Sequence, residues 1–135
     1  MGDIRLNKLA KLLVNYSTKV KPGEFVFVRA EEVAAPWMVE VVKEAIKAGA
    51  HVETLLTSQD VEEARLRYST EEQLQEEHFI MKNTLEKADV WITAWGTRNT
   101  KANSSIDSKR LQIASKGASS WRKVYSSKMG DGSLR

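Results

Sequence analysis

The sequence predicts an α/β domain with a small, mainly parallel sheet, and three observations lead there. Residues 24–29 (EFVFVR), 51–57 (HVETLLT) and 89–95 (DVWITAW) are short runs rich in β-branched and aromatic side chains. Between them lie stretches with helical apolar spacing, each about ten residues or longer, the length a crossover between parallel strands requires. The whole chain has 135 residues, one domain's worth, with 41% hydrophobic and 29% charged side chains, as in an ordinary globular core and surface.

The elements follow in order. Residues 3–17 predict a helix capped by Asp3, with Leu6, Leu9, Ala10, Leu13 and Tyr16 on one apolar face. Pro22-Gly23 breaks it. The run 24–29 is continuously apolar apart from its ends, the pattern of a strand buried on both faces. A second helix opens at Ala34-Ala35-Pro36, buries Met38, Val41, Val42, Ala45 and Ala48, and stops at Gly49. After the strand 51–57, Ser58 or Asp60 caps a helix to Tyr68. Residues 69–88 predict one further helical stretch, with Leu74, His78, Met81, Leu85 and Ala88 at alternating spacing along a stripe. The strand 89–95 ends at Gly96, a polar loop spans 97–105, and a last helix covers 106–125, weakened at Gly117. The arrangement is then a three-layer, Rossmann-like domain with three strong strands, flanked by helices through right-handed crossovers.

Charge is distributed unevenly. Residues 1–52 carry 8 basic and 6 acidic side chains, residues 53–89 carry 4 and 10, and residues 90–135 carry 9 and 2, for a net +3. Solvated helix faces account for such blocks most simply. The tail's Lys109, Arg110, Lys116, Arg122, Lys123 and Lys128 with Trp121 and Tyr125 could also lie along phosphates. The two aromatics stand four residues apart, however, as core residues on a docked helix do, so nucleic acid is the lesser reading. The absence of cysteine excludes disulfides and thiolate metal sites and favours a cytoplasmic address. No run is apolar for long enough to predict a membrane span.

Common catalytic motifs are missing. The sequence has neither a GxxxxGK[ST] phosphate loop nor a GxGxxG fingerprint, and Glu31 and Glu32 at a helix start would repel an anion. His51 and His78 are the only histidines, neither in an HExxH frame, and both read as structural. Glu76-Glu77-His78 could ligate a metal only with ligands from elsewhere, because consecutive helical residues point apart. No GxSxG elbow is present, and Asp60, Glu62 and Glu63 read as residues favoured at a helix start rather than as an acid–base pair. The carboxyl ends of the strands, where parallel sheets bind ligands, bring together Arg29, Glu31, Ser58, Thr97, Arg98 and Asn99.

Three segments carry a resemblance: LAKLLVNYSTKVKPGEFVFVR from Leu9, then AAPWMVEVVKEAIKAGAHVE, then ADVWITAWGTRNTKANSSIDSKRLQIASKG. They resemble the N-terminal domain of the aminopeptidase T-type metallopeptidases, the thermophilic metalloprotease family, with NYS…VKPGE the most specific part. The resemblance implies a longer enzyme that removes N-terminal amino acids from peptides using a pair of divalent metal ions, zinc or cobalt. Its ligands lie in a C-terminal catalytic domain, and no residue here matches them. Residues 1–135 are then a single domain inactive alone, with 126–135 a linker toward that catalytic domain, its expected partner. Glu31, Arg98 and Asn99 are the candidate residues facing the peptide cleft, and no catalytic or metal-binding residue is assigned. A severed domain would expose an apolar patch and could form a homodimer through it. The alternative is a free-standing module that binds an anionic partner or nucleic acid through its basic C-terminal helix.

Overall fold

The computed structural model describes residues 4–94 and 105–135. Helix α1 (Ile4–Leu12) passes into a wider π turn over Leu13–Ser17. Strand β1 (Phe25–Glu31) leads through a 3₁₀ turn, Glu32–Ala34, to α2 (Ala35–Lys47), with Pro36 in its first turn. Strand β2 (His51–Thr57) is followed by α3 (Gln59–Tyr68), α4 (Glu71–Leu74) and α5 (Phe79–Lys87). Strand β3 (Val90–Ala94), α6 (Ser108–Gly117) and α7 (Ser119–Asp131) complete the described order.

The three strands form an open parallel sheet in the order β2-β1-β3. Phe25 faces His51 and Glu31 faces Thr57 across one ladder, while Val26 faces Val90 across the other. As the central strand, β1 is buried on both faces, which is why its sequence is a continuous apolar run. Alternation sorts its side chains. Val26, Val28 and Ala30 pack with Ala10 and Val14 of the first helical segment and Met38, Val41 and Ala45 of α2. Phe27 packs instead with Met81, Leu85, Ala88 and Leu134, against which Trp121, Val124 and Tyr125 of α7 lie. Helices thus cover both sheet faces, the three-layer α/β arrangement the sequence predicts.

The π turn alters the first helix. Its i→i+5 step, with Thr18 N–H donating to Leu13 O at 3.0 Å, rotates the apolar face. Val14 is buried in place of the expected Tyr16, which is exposed, as is Leu9. Asp3, its expected cap, lies outside the described residues. Gly49 is required by its neighbourhood: φ is +90°, and a β-carbon there would stand 3.0 Å from Pro22 Cβ. The turns before β1 and β2 therefore lock together, with Gly23 N–H donating to Gly49 O at 3.0 Å.

Two expected helices are each divided. Residues 69–88 form α4 and α5, separated at 75–78; α4 is a single turn whose start Thr70 and Gln73 cap reciprocally. The helix expected over 106–125 is α6 and α7, spanning residues 108–131, which meet at Ala118 after Gly117. The segment 126–135 is helical as far as Asp131. Gly132, at φ +81°, then turns the chain back onto the sheet. Arg135 N–H donates to Asp89 O at 3.2 Å and Trp91 N–H to Arg135 O at 3.0 Å, the bonding pattern of a parallel bridge beside Val90.

Candidate functional site

Sequence and topology point to the carboxyl edge of the sheet, and a cleft opens there. Arg29 and Glu31 are two residues apart on β1 and so share a sheet face. Ser58 caps α3 by accepting from Val61 N–H at 3.4 Å, which settles the choice between Ser58 and Asp60. That start sets Glu62 and Arg65 one helical turn apart, and they pair at 2.9 Å. The interruption between α4 and α5 puts His78 at the N-cap position of α5, where it is half-buried.

The cleft has two adjoining chambers, an inner one of about 280 Å³ and an outer one of about 500 Å³. Arg29, Glu62, Arg65, His78 and Met81 line both and form the waist between them. The inner chamber mixes Ser69, Gln73 and Ser115 with Leu111 and Trp121. The outer chamber is more apolar, bounded by Leu55, Leu56, Val61, Phe79 and Ile80.

Burial lowers the pKa of the Arg29 guanidinium, and Glu62 and Glu31 oppose that shift. The group stays a cation, since an arginine's ordinary value lies far above neutrality. Burial also lowers the His78 pKa, and the positive charges of Arg65 and Arg29 add to the effect while Glu62 opposes it. His78 is therefore neutral at pH 7. Glu31 Oε2 is buried and has no hydrogen-bond partner among the described residues, so the strand end carries an acceptor with capacity to spare.

Among the described residues no group of three or more His, Asp or Glu side chains could hold a metal ion. The waist fits a cation poorly for a further reason: Glu62 is committed to Arg65, and His78 faces two guanidinium groups. Glu77 pairs with Lys82 at 3.4 Å, and His51 is exposed at the start of β2.

Of the residues singled out in the sequence, Arg29 lines the waist, Glu31 lies just beyond it, and Ser58 lines the outer chamber. Thr97, Arg98 and Asn99 lie outside the described residues. Sequence reasoning missed the grouping of Glu62, Arg65 and His78 around Arg29. The i,i+3 spacing of Glu62 and Arg65 is a signal for the pair, but no local pattern announces the break that positions His78.

Much of the basic tail is used internally. Arg110 donates to the carbonyls of Leu66, Arg67 and Ser69 at the end of α3. Lys128 donates to Leu85 O at 2.7 Å, Glu86 O at 3.1 Å and Ala88 O, closing the end of α5. Lys109 pairs with Glu71 at 3.3 Å. Trp121 and Tyr125 meet Trp91 edge to face, with ring centroids 6.0 and 5.1 Å away, and Trp91 stacks on Phe27.

Residues 3–135 match the family model described as thermophilic metalloprotease (M29). No curated protein matches the chain. Among solved structures it is similar to wild-type AmpT from Thermus thermophilus, with a TM-score of 0.79 and 19% identity over 93% of this chain. The match covers 33% of that structure, so the chain spans about a third of its length, and at this identity the likeness speaks for the fold alone.

Proposed function

The chain belongs to the thermophilic metalloprotease (M29) family, and from that premise we propose that it is the N-terminal, non-metal-binding domain of a metal-dependent aminopeptidase. Its role is to wall the cleft in which a catalytic domain removes N-terminal amino acids from peptides. By itself it is inactive. The observation that carries the reading is the family match along residues 3–135. The position of Glu31 is consistent with it: the residue ends β1 at the carboxyl edge of the sheet, where parallel sheets bind ligands. Glu31, with Arg98 and Asn99, forms the proposed peptide-facing set.

The enclosed metal pair, zinc or cobalt, belongs in this reading to the catalytic domain, and the wall's contribution is to orient peptide and keep water out. A cysteine-free chain suits work in the cytoplasm.

The test is hydrolysis of leucine-p-nitroanilide with added Co²⁺ or Zn²⁺, run on this chain and on the longer enzyme that contains it. The chain alone is expected to be inactive with either ion, and the longer enzyme active. Glu31→Gln in the longer enzyme is expected to lower kcat/KM by about tenfold, the loss of one charge-assisted hydrogen bond. Turnover by the chain alone would overturn the non-metal-binding role. An inactive longer enzyme would overturn the peptidase reading, and unchanged kcat/KM would remove Glu31 from the cleft.

A further inference from the structure

Strand β2 forms one edge of the described sheet and pairs there with β1 alone. Its seven residues, His51–Thr57, keep an unbroken register and include no lysine, proline or glycine. Natural edges are shielded by such residues, by bulges or by a covering element, whereas here Glu53 is the only carboxylate. His51 N–H donates to Glu24 O at 2.8 Å, on the β1 side. Alternation therefore turns the N–H and C=O of Val52, Thr54 and Leu56 outward, and no backbone partner meets them among the described residues. We propose that this edge forms a homodimer interface: β2 pairs antiparallel with β2 of a second copy, joining two three-stranded sheets into one across a two-fold axis.

Charge and area select a second copy as the occupant. A two-fold contact requires a self-complementary surface, and the edge has one. Centring the pair on Glu53 would set carboxylate against carboxylate, and centring it on Thr54 would make the two carboxylates diagonal neighbours. Centring it on Leu55 avoids both, because Glu53 then faces the second copy's Thr57 and leucine meets leucine. In that register Thr54 exchanges its N–H and C=O with those of Leu56 in the second copy, and symmetry repeats the exchange. Beside the edge, Leu56 is 53% exposed, Val61 58%, Phe79 64% and Ile80 65%, and all four line the outer chamber with Leu55. At about 3.3 Å per residue the edge is roughly 23 Å long. With those four side chains it offers on the order of 800 Å² per copy, the share that a stable dimer buries. The inference rests on the sheet edge and is independent of the peptidase reading.

Sedimentation velocity of the chain across micromolar concentrations, with amide hydrogen exchange at the top of the range, tests this. A species of twice the chain's mass is expected, with the Thr54 and Leu56 amides slowed about tenfold or more relative to the dilute protein. Thr54→Pro removes an outward donor and leaves the ladder to β1 intact. It should give a monomer, as should Leu56→Lys. Ile46→Lys, at a similarly exposed position on α2, is the control and should remain dimeric. A monomer at about 100 µM would overturn the proposal. So would a dimer in which Thr54 and Leu56 exchange freely, or one that survives both edge substitutions with dispersed spectra. Species that grow beyond a pair would mean an open-ended contact and overturn it too. In the longer enzyme, slow exchange of the same amides in a monomer would assign the edge to another part of that enzyme, with the same consequence. Should Thr54→Pro fail to fold, Leu56→Lys against Ile46→Lys decides.

Discussion

A β-carbon on Gly117 would stand 2.6 Å from the carbonyl oxygen of Leu74, closer than any real methyl approaches an oxygen, and 2.9 Å from that of Glu76. Helix α6 therefore lies directly on the backbone at the end of α4, and the missing side chain permits it. This contact closes the inner chamber, which both Leu74 and Ala118 line. Both obstructing atoms are backbone, so little can move aside. Gly117→Ala is expected to destabilise the fold by about 1–3 kcal/mol through overpacking. Gly130, inside α7 with nothing within 4 Å of an added β-carbon, is the control. Gly130→Ala should gain about 0.5–1 kcal/mol from helix propensity. Urea denaturation of the two variants gives opposite signs if the close approach is real.

Lys128 closes the last turn of α5 from a different helix. Its ammonium donates to three carbonyls, those of Leu85, Glu86 and Ala88, and so ties α7 to α5 at the edge of the second core cluster. Lys128→Met keeps much of the stem and removes the donors. The expected loss is about 1–3 kcal/mol, the cost of leaving partly buried carbonyls without their charged partner. Lys123 serves as the comparison: it is exposed, and Lys123→Met should change the urea midpoint little. Equal effects of the two substitutions would mean that Lys128 acts through general charge alone.

The residues easiest to read from sequence are those whose fate is decided locally. The run from Phe25 to Arg29 reads as a buried central strand because burial on both faces leaves an unbroken apolar sequence. Ser58 is readable as a cap and Gly49 as a helix stop, since each answers to its own backbone. The division of residues 69–88 is not readable. The stripe from Leu74 to Ala88 keeps helical spacing across the break, so periodicity alone cannot show that His78 leaves the helix. Tyr16 reads as a core residue because a π turn shifts the face without altering the residue pattern. The candidate site is half legible: Arg29 and Glu31 follow from the strand end, but Glu62, Arg65 and His78 join Arg29 only through the tertiary placement of α3 and of the start of α5 around one cleft.

The environment of His78 makes a titration prediction. Burial, then Arg65, lowers its pKa from the ordinary 6.5. The unfolded chain, with the ordinary value, thus binds more protons than the fold as the pH drops through 6.5. Stability is expected to be complete above that pH and to decline below it, toward the lowered folded-state value. The imidazole Cε1–H signal should titrate with a midpoint below 6.5. Arg65→Gln should move the midpoint upward, and His78→Gln should remove this part of the stability loss below pH 6.5. A midpoint at or above 6.5 would contradict the half-buried, positively charged surroundings.

Glu24, just before β1, pairs with Arg135, and their link has the opposite pH signature. The side-chain hydrogen bond from Arg135 lowers the Glu24 pKa from 4.5, burial opposes that shift, and the Lys21 backbone N–H, donating at 2.7 Å, lowers it further. A carboxyl group with a depressed folded-state pKa stabilises the fold fully above its unfolded value of 4.5 and loses that contribution as the pH falls through the folded value. Arg135 also donates to the carbonyls of Thr18 and Lys19, so it anchors the segment after α7 to the turn before β1. Glu24→Gln and Arg135→Met should each lower stability at pH 7 and flatten the loss as the pH falls below 4.5. Combined, the two substitutions should cost less than the sum of the singles, because each removes the same contact. Urea midpoints measured across that pH range for the four proteins of the cycle decide it: strict additivity would mean that the segment at Arg135 is not held by this pair.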